Sequence, residues 1–527
     1  MPSAKSYDVV VVGAGPGGST TASFLAKAGL SVLVVEGKRF PRWHIGESLL
    51  AMSLPIFTEL GLLPDLQRFQ RKLGALWVWG PALSLIRLDM PNPGYAFQVQ
   101  RAEFDTLLMN TARAAGADVA EECWAREPIW DAAGRMCGLR VQNADGATSE
   151  VSARYVVDAS GLFQFLPRQL GLPMDLFGPQ RAAVTAYWRG AARPSDPYGG
   201  DVISEACADG WLWFIPFADG QVGVGFVGDA VDVTRDTEGV LARQIASSVM
   251  IKRLLDGAER AHQPRLLKYT NHIVRSPMWD RGYVLVGDTA GFVDPLFSTG
   301  IHATVYSSSL AAAGIASVLA GDLADEDAAA WYDRRVRGHY RRTTEMTRLL
   351  YAAYPGSSRF WRARSMADID EPAAERLLSA IGAGSIALIS RAVADGALHL
   401  PDAISRLLPG FSFSLPRTAL PPDTVLSLAD EVSVRPDWTR RGTTVVPAVL
   451  VSHRRQRAPE LDFPIGSSGH RLIQAIDGRR SLGALLAECA DDDKERRVLE
   501  LTVGGLVSAG ILTGATRPAA LAGADHA

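Results

Sequence analysis

The run DVVVVGAGPGGSTTASFLAKAGLSVLVVEGKRFPRWHIGES, Asp8 to Ser48, changes pattern at intervals that fit one unit of structure. Val9–Val12 is an apolar, β-branched stretch, long enough for a buried parallel strand and too short for a helix. Gly13, Gly15 and Gly18 follow in GxGxxG spacing, and Ala22, Phe24, Leu25 and Ala28 then suit a helix packed on a sheet. Val32–Val35 makes a second strand with Glu36 at its end. The glycines let the backbone approach a pyrophosphate, the helix N-terminus favours its negative charge, and the carboxylate accepts ribose hydroxyls. A dinucleotide is the expected ligand. The spacing also nearly matches a nucleoside-triphosphate loop, GxxxxGK[ST], but Ser19 occupies the lysine position and no cation would reach the terminal phosphates.

Outward from that run, Leu54, Ile56, Phe57, Leu60 and Leu62 are spaced for a helix that leads into Lys72, Gly74, Trp77, Trp79 and Gly80, the pattern of a loop entering a strand. Taken alone, Lys72 reads as a solvated lysine. Phe104, Leu107, Leu108 and Ala112 share one face of an amphipathic helix that begins just after Arg101. An arginine at a helix start reads either as a contact to a bound phosphate or sugar chain, or as a surface residue. Arg154–Leu162 is a further strand closing on an acid and a glycine turn, after which Val184–Trp188, Trp211–Phe217 and Val222–Val227 suggest an antiparallel sheet. The strand Tyr283–Val286 then ends in Gly287 and Asp288, and a helix starts near Gly300. Two helix N-termini would therefore meet one extended cofactor, for which FAD is the best fit. Glu36 is expected on the adenosine ribose and Asp288 on the ribityl or pyrophosphate region, against the plainer readings of a solvated acid and a helix cap.

The chain has 527 residues, room for two or three domains, and Lys+Arg of 54 against Asp+Glu of 57 leaves a net charge of −3. No general attraction to nucleic acid or to an anionic membrane is expected. Cys123, Cys137, Cys207 and Cys489 form no CxxC pair, so neither a disulfide framework nor a zinc site is expected, in keeping with a cytoplasmic protein. The start lacks the basic region of a secretory signal, and Ser309–Ala320 looks too short to span a bilayer. His44 and His302 lie near the motifs but are not spaced as metal ligands.

The expected architecture is α/β: residues 1–340 form an FAD-binding, Rossmann-type doubly wound sheet, interrupted at about 165–280 by an antiparallel-sheet substrate region. Residues 341–440 read as a helical extension with Pro-rich breaks. From about 441 to 527, two strand-like runs, three short helices and a wing at Ile511–Leu512 resemble a winged helix. Its second helix, SLGALLAECA, carries no Arg or Lys and so no footprint for reading DNA.

At WLWFIP the chain resembles the flavin-dependent halogenases, whose WxWxIP motif it matches at Trp211, Trp213, Ile215 and Pro216. The family's KxGxxxxWG segment matches at Lys72, and its FxxPxxSxG segment at Phe292, Pro295, Ser298 and Gly300. The resemblance covers about residues 5 to 350. It implies a fold of the p-hydroxybenzoate hydroxylase (PHBH) type and FAD, used as FADH2, held by Gly13, Gly15, Gly18, Glu36, Arg42, Ser48, Arg101, Asp288, Pro295 and Gly300. It also implies chloride or bromide at the backbone amides of Thr299 and Gly300, and hypohalous acid as the oxidant. Lys72 would hydrogen-bond that acid or form a haloamine, while Trp211 and Trp213 keep the organic substrate off the flavin. Where the tryptophan halogenases place a glutamate two residues before the Thr-Gly pair, this chain has Phe297, and PRWHIGESLL and DPLFSTGIH look more like the branch acting on phenols and on pyrrolyl groups tethered to carrier proteins. Some members of that branch hold FAD covalently at the position of Asp294, which otherwise reads as a cap for the following turn. A separate NAD(P)H:flavin reductase and a small aromatic substrate, free or on an acyl carrier protein, are the implied partners. The rival readings are an FAD-dependent aromatic hydroxylase or a related flavin reductase. The IDGRRSL region resembles PqqD-type peptide-binding modules and reads either as a carrier- or peptide-docking module or as a lid.

Overall fold

A computed structural model describes residues 6–78, 85–89, 94–353, 358–362, 420–430, 432–453, 461–508 and 511–516. Trp79 and Gly80, the end of the lysine segment, lie outside the described residues, as does 363–419. The chain forms two compact units, the first running to residue 367 and the second comprising most of the chain beyond it.

In the first unit the strand Ser6–Val12 lies between Thr148–Asp158 and Val32–Glu36, parallel to both. Asp118–Glu121 and Tyr283–Leu285 extend this parallel core on either side. Val9, Val10 and Val11 are wholly buried, as the apolar run requires of a strand covered on both faces. Each such valine contributes roughly 1.5–3 kcal/mol through burial, so the run fixes the strand more firmly than β propensity does. The helix Pro16–Lys27 opens on proline, whose missing N–H costs nothing at that position, and packs on Arg101–Ala114 and Thr299–Ala320.

The last of these helices corrects one expectation. It runs for 22 residues, long and apolar enough by composition to cross a membrane, yet 72% of its apolar window is buried inside the protein. It is a core helix because other helices, among them Pro16–Lys27 and Asp325–Ala353, pack against it.

The second sheet has nine strands. Met174–Arg189, Val222–Asp229, Gly210–Pro216 and Val202–Cys207 pair antiparallel in that order. Gly74–Val78 then joins Val202–Cys207 in parallel, and Leu85–Asp89 pairs antiparallel beyond it. The sheet is thus not confined to the 165–280 stretch, because two strands are recruited from the segment that comes after Lys72.

The second unit has helices Ser468–Ala475, Leu482–Cys489 and Asp493–Ser508 around a core that includes Leu426, Leu472, Leu485, Leu499 and Leu506. Ser467 and Ser481 cap the first two helices by accepting the amides of His470 and Ala484. The wing strand Leu512–Thr516 pairs with Thr424–Leu428, and Val432–Arg441, Thr444–His453 and Leu461–Pro464 form a second small sheet. The 341–440 stretch is therefore not simply helical. Asp325–Ala353 and Arg359–Arg362 are helices, whereas Thr424–Leu428 and Val432–Arg441 are strands, since their Val and Leu side chains join a sheet-and-helix core.

Candidate active site

A cavity of about 620 Å³ opens at the C-terminal end of the parallel strands and is also lined by the second sheet. Its nucleotide end is shaped by the glycines. Gly13 has φ +95°, and an added Cβ would stand 2.7 Å from Ala159 O. An added Cβ on Gly18 would overlap the Gly13 carbonyl oxygen, so the helix approaches the strand closely only because no side chain intervenes. Gly13 and Gly15 line the cavity, with Gly18 packed behind them. Glu36 lines it too but is only 7% exposed. Its Oε2 accepts the Ala14 N–H at 2.7 Å and its Oε1 the Lys38 N–H at 2.8 Å, which fixes the carboxylate at the strand end.

Arg42 and Arg101 enter from two segments and share one acid. Arg101 donates from Nε to Asp105 Oδ1 at 2.6 Å and from Nη2 to Oδ2 at 2.9 Å, and Arg42 Nη1 reaches Oδ2 at 3.2 Å. Arg101 also donates to the carbonyl oxygen of Ile45 and so ties the helix it begins to the PRWHIGES segment. It is a buried residue and not a surface one. Asp288 lines the same wall, where burial pushes its carboxyl up to about 7 against the pull of Arg101.

Ser48 lines the cavity and Lys72 stands directly behind it. Lys72 is 1% exposed, and its Nζ donates to Ser48 Oγ at 2.6 Å. The antiparallel pairing of Gln70–Lys72 with Ala96–Gln98 brings the two together, helped by the bridge between Ser48 and Gln98. Burial lowers the Lys72 ammonium to about 7, with Asp201 acting in the opposite direction. The solvated-lysine reading fails.

Trp211, Trp213 and Ile215 contribute the wall opposite the parallel strands, while Pro216 ends their strand without lining the cavity. The two indoles lie 5.9 Å apart between centroids. Trp211 Nε1 donates to the Tyr351 hydroxyl at 2.7 Å, and Tyr351 and Tyr269 donate to the two oxygens of Asp294, each at 2.9 Å. Asp294 makes no side-chain cap for the following turn, because these tyrosines take its carboxylate instead. Pro295 lines the cavity, as does Gly300 in the first turn of the Thr299–Ala320 helix. Thr299 and Gly300 also face a second cavity of about 10 Å³, room for one water-sized sphere, bordered by Asp288 and His339. The amides at this helix start have no intrahelical acceptor, which suits a small anion.

His44 and His302 are both held neutral by burial, each lowered to about 4, and no metal-binding group of three such ligands occurs among the described residues. Sequence reasoning passed over Glu47, Tyr187, Tyr269 and Tyr351. Glu47 had the one available signal, an acid standing beside Ser48 in a segment already expected at the cofactor.

The sequence model of the tryptophan halogenase family matches residues 8–80 and 87–390. The chain belongs to this family of flavin-dependent halogenases. A tryptophan 2-halogenase of Chondromyces crocatus is 32% identical over 69% of this chain and 71% of its own length. A 1H-pyrrole-2-carbonyl-[peptidyl-carrier protein] chlorinase of Pseudomonas fluorescens is 28% identical over 66% of this chain and 83% of its own. The solved structure of the myxobacterial chondrochloren halogenase CndH covers 72% of this chain and 91% of its own at 32% identity, with a TM-score of 0.67. That of the flavin-dependent halogenase CmlS, 24% identical, shares the fold over 97% of this chain and 96% of its own, with a TM-score of 0.76. The protein is a flavin-dependent halogenase of Rossmann-type FAD-binding fold that uses FADH2 and halide, and enzymes of this kind generally need a separate flavin reductase. The cavity's glycine cradle and size fit FAD. Hydroxylase and flavin-reductase readings leave the family match unexplained.

Proposed function

We propose that this halogenase, working in the cytoplasm, modifies an electron-rich aromatic of phenolic or pyrrolic type, and that Lys72 is where the oxidant meets the substrate. The observation that carries the reading is the pairing of Lys72 with Ser48: a buried amine one hydrogen bond behind the cofactor wall. FADH2 supplies the electrons for making hypohalous acid. Glu36 holds the adenosine ribose, Arg42 and the first amides of the Pro16–Lys27 helix face the pyrophosphate, and Arg101 and Asp288 face the ribityl region. Ser48, Pro295 and Gly300 border the isoalloxazine, and the Thr299 and Gly300 amides hold the halide. Trp211 and Trp213, backed by Ile215 and Pro216, keep the aromatic substrate from that ring. Near pH 7 Lys72 samples both protonation states, one able to donate to hypohalous acid and the other able to form a haloamine.

Phe297 supports the substrate class. It packs on Trp77 with ring centroids 5.2 Å apart, so an apolar surface stands where a carboxylate would be needed to stabilise a cationic tryptophan intermediate. The carrier-protein chlorinase among its relatives makes a tethered pyrrolyl substrate a specific version of the proposal, with the second unit as the docking module. The two tyrosines on Asp294 favour non-covalent FAD. Acid denaturation and filtration should therefore free the yellow chromophore, and colour retained on the protein would instead mean covalent attachment, for which Asp294 is the candidate.

The test is to supply the protein with FAD, an NADH-driven flavin reductase, oxygen and bromide, together with phenols, free and carrier-bound pyrroles, and tryptophan. Mass spectrometry should find a brominated phenol or pyrrole. Hydroxylated product without bromide would overturn the halogenation, and bromination of tryptophan alone would overturn the substrate class.

A further inference from the structure

The chain changes sheets at the lysine. Lys72 is the last residue of the strand Gln70–Lys72, which pairs with Ala96–Gln98, and Gly74 is the first of Gly74–Val78, which pairs with Val202–Cys207. Leu73 alone separates the two ladders, so the direction in which Lys72 leaves its strand depends on how that junction is held.

Asp201, just before Val202–Cys207, is 1% exposed, and its Oδ1 accepts the Leu73 N–H and the Gly74 N–H, each at 2.8 Å. Buried N–H groups at a sheet junction need an acceptor, and here one carboxylate oxygen serves both. Gly200 sets how closely the two segments meet, because an added Cβ there would overlap the Arg71 carbonyl oxygen. Gln98 Nε2 donates to the Gly200 carbonyl oxygen at 3.2 Å, and Gln98 also bridges to Ser48, which accepts the Lys72 Nζ. Three segments far apart in sequence therefore meet around the lysine.

We propose that Asp201 is the positioning residue for Lys72: it pins the sheet junction that carries the amine to Ser48 and sets a carboxylate charge within its field. Its effect on halogenation rests on the role proposed for Lys72, whereas its effect on the lysine's own geometry and titration does not.

The surroundings leave Asp201 as the charge that acts on the amine. From beyond hydrogen-bonding reach it opposes the burial that lowers the Lys72 ammonium. The strands Ala96–Gln98 and Gly74–Val78 carry no titratable side chain. Glu47, beside Ser48, accepts the Tyr187 hydroxyl at 2.7 Å, and Arg101 is engaged by Asp105. Arg71, next to the lysine, lies over the Tyr95 ring at 4.0 Å. Glu205, further along the strand that follows Asp201, accepts the Met250 and Ile251 amides.

Asp201→Asn keeps an oxygen for both amides and removes the charge, whereas Asp201→Ala removes both. NMR of the Lys72 side-chain nitrogen in the full chain should place its midpoint in Asp201→Asn about one unit below wild type, tenfold in proton affinity. With FAD, a flavin reductase, oxygen and bromide supplied, Asp201→Ala should lower halogenated product per flavin oxidised on the order of 10²-fold, with FAD affinity unchanged. Asp201→Asn should recover most of that product, its pH profile displaced downwards together with the Lys72 midpoint. Gly200→Ala keeps the charge but displaces the same junction; it should also lower the product ratio, and serves as the test if Asp201→Ala fails to fold. A wild-type product ratio in both alanine variants, or an unmoved Lys72 midpoint in Asp201→Asn, would overturn the proposal. Halogenation that survives Lys72→Ala would instead remove the role given to Lys72, and the midpoint in Asp201→Asn would still decide whether Asp201 acts on it.

Discussion

The two ends of the cofactor cavity differ in how their charges are matched. Along the nucleotide wall Arg42 and Arg101 share Asp105, and Glu36 receives two backbone N–H groups. At the reaction end Lys72 and Glu47 have no ion-pair partner within hydrogen-bonding reach among the described residues, and burial moves them to about 7 and 8. Burial alone therefore does not set protonation. Where the fold supplies a counter-charge the site binds, and where it withholds one the site can exchange protons near neutrality.

Substitutions at the two ends should separate binding from chemistry. The largest effect is expected for Lys72→Ala, with halogenated product down on the order of 10³-fold while FAD affinity and flavin reoxidation hold. Gly18→Ala acts at the opposite end, where the new Cβ meets the Gly13 carbonyl. It should destabilise the fold by about 1–3 kcal/mol, read as a lower melting temperature, and weaken FAD. Arg42→Ala should raise the FAD dissociation constant about tenfold, equivalent to about 1.4 kcal/mol, without altering the ratio of halogenated product to flavin oxidised. If it altered that ratio, the two-ended division would break.

How far these ends were visible in the sequence differs for the same reason. Gly13, Gly15, Gly18 and Glu36 act within one strand–helix–strand unit, so their roles can be read from spacing. Glu47 depends on Tyr187, 140 residues away, and Trp211 and Asp294 are joined through Tyr351 on another helix. No local pattern reports such contacts. Lys72 looked like any solvated lysine until the WLWFIP match, because the strand pairing that buries it lies outside its own segment. In the second unit, Thr424–Leu428 was missed because its partner, Leu512–Thr516, lies far along the chain.

The smallest expected effect sharpens the comparison through stability. The folded Glu47 carboxyl holds its proton up to about 8, whereas an ordinary one loses it near 4.5. Its contribution is therefore present below that lower value and is lost as pH rises through the window. Glu47→Gln should gain in melting temperature relative to wild type across those pH values, and a constant difference would contradict the assignment. For Lys72, lowered from 10.5 to about 7, wild-type stability should instead rise with pH through that range. The advantage of Lys72→Met should shrink over it.

The most direct test of an uncompensated reaction end is to titrate Lys72 itself, by NMR of the side-chain nitrogen in ¹⁵N-lysine-labelled protein, assigned with Lys72→Arg. A midpoint at about 7 is expected. A midpoint near the ordinary 10.5 would contradict it.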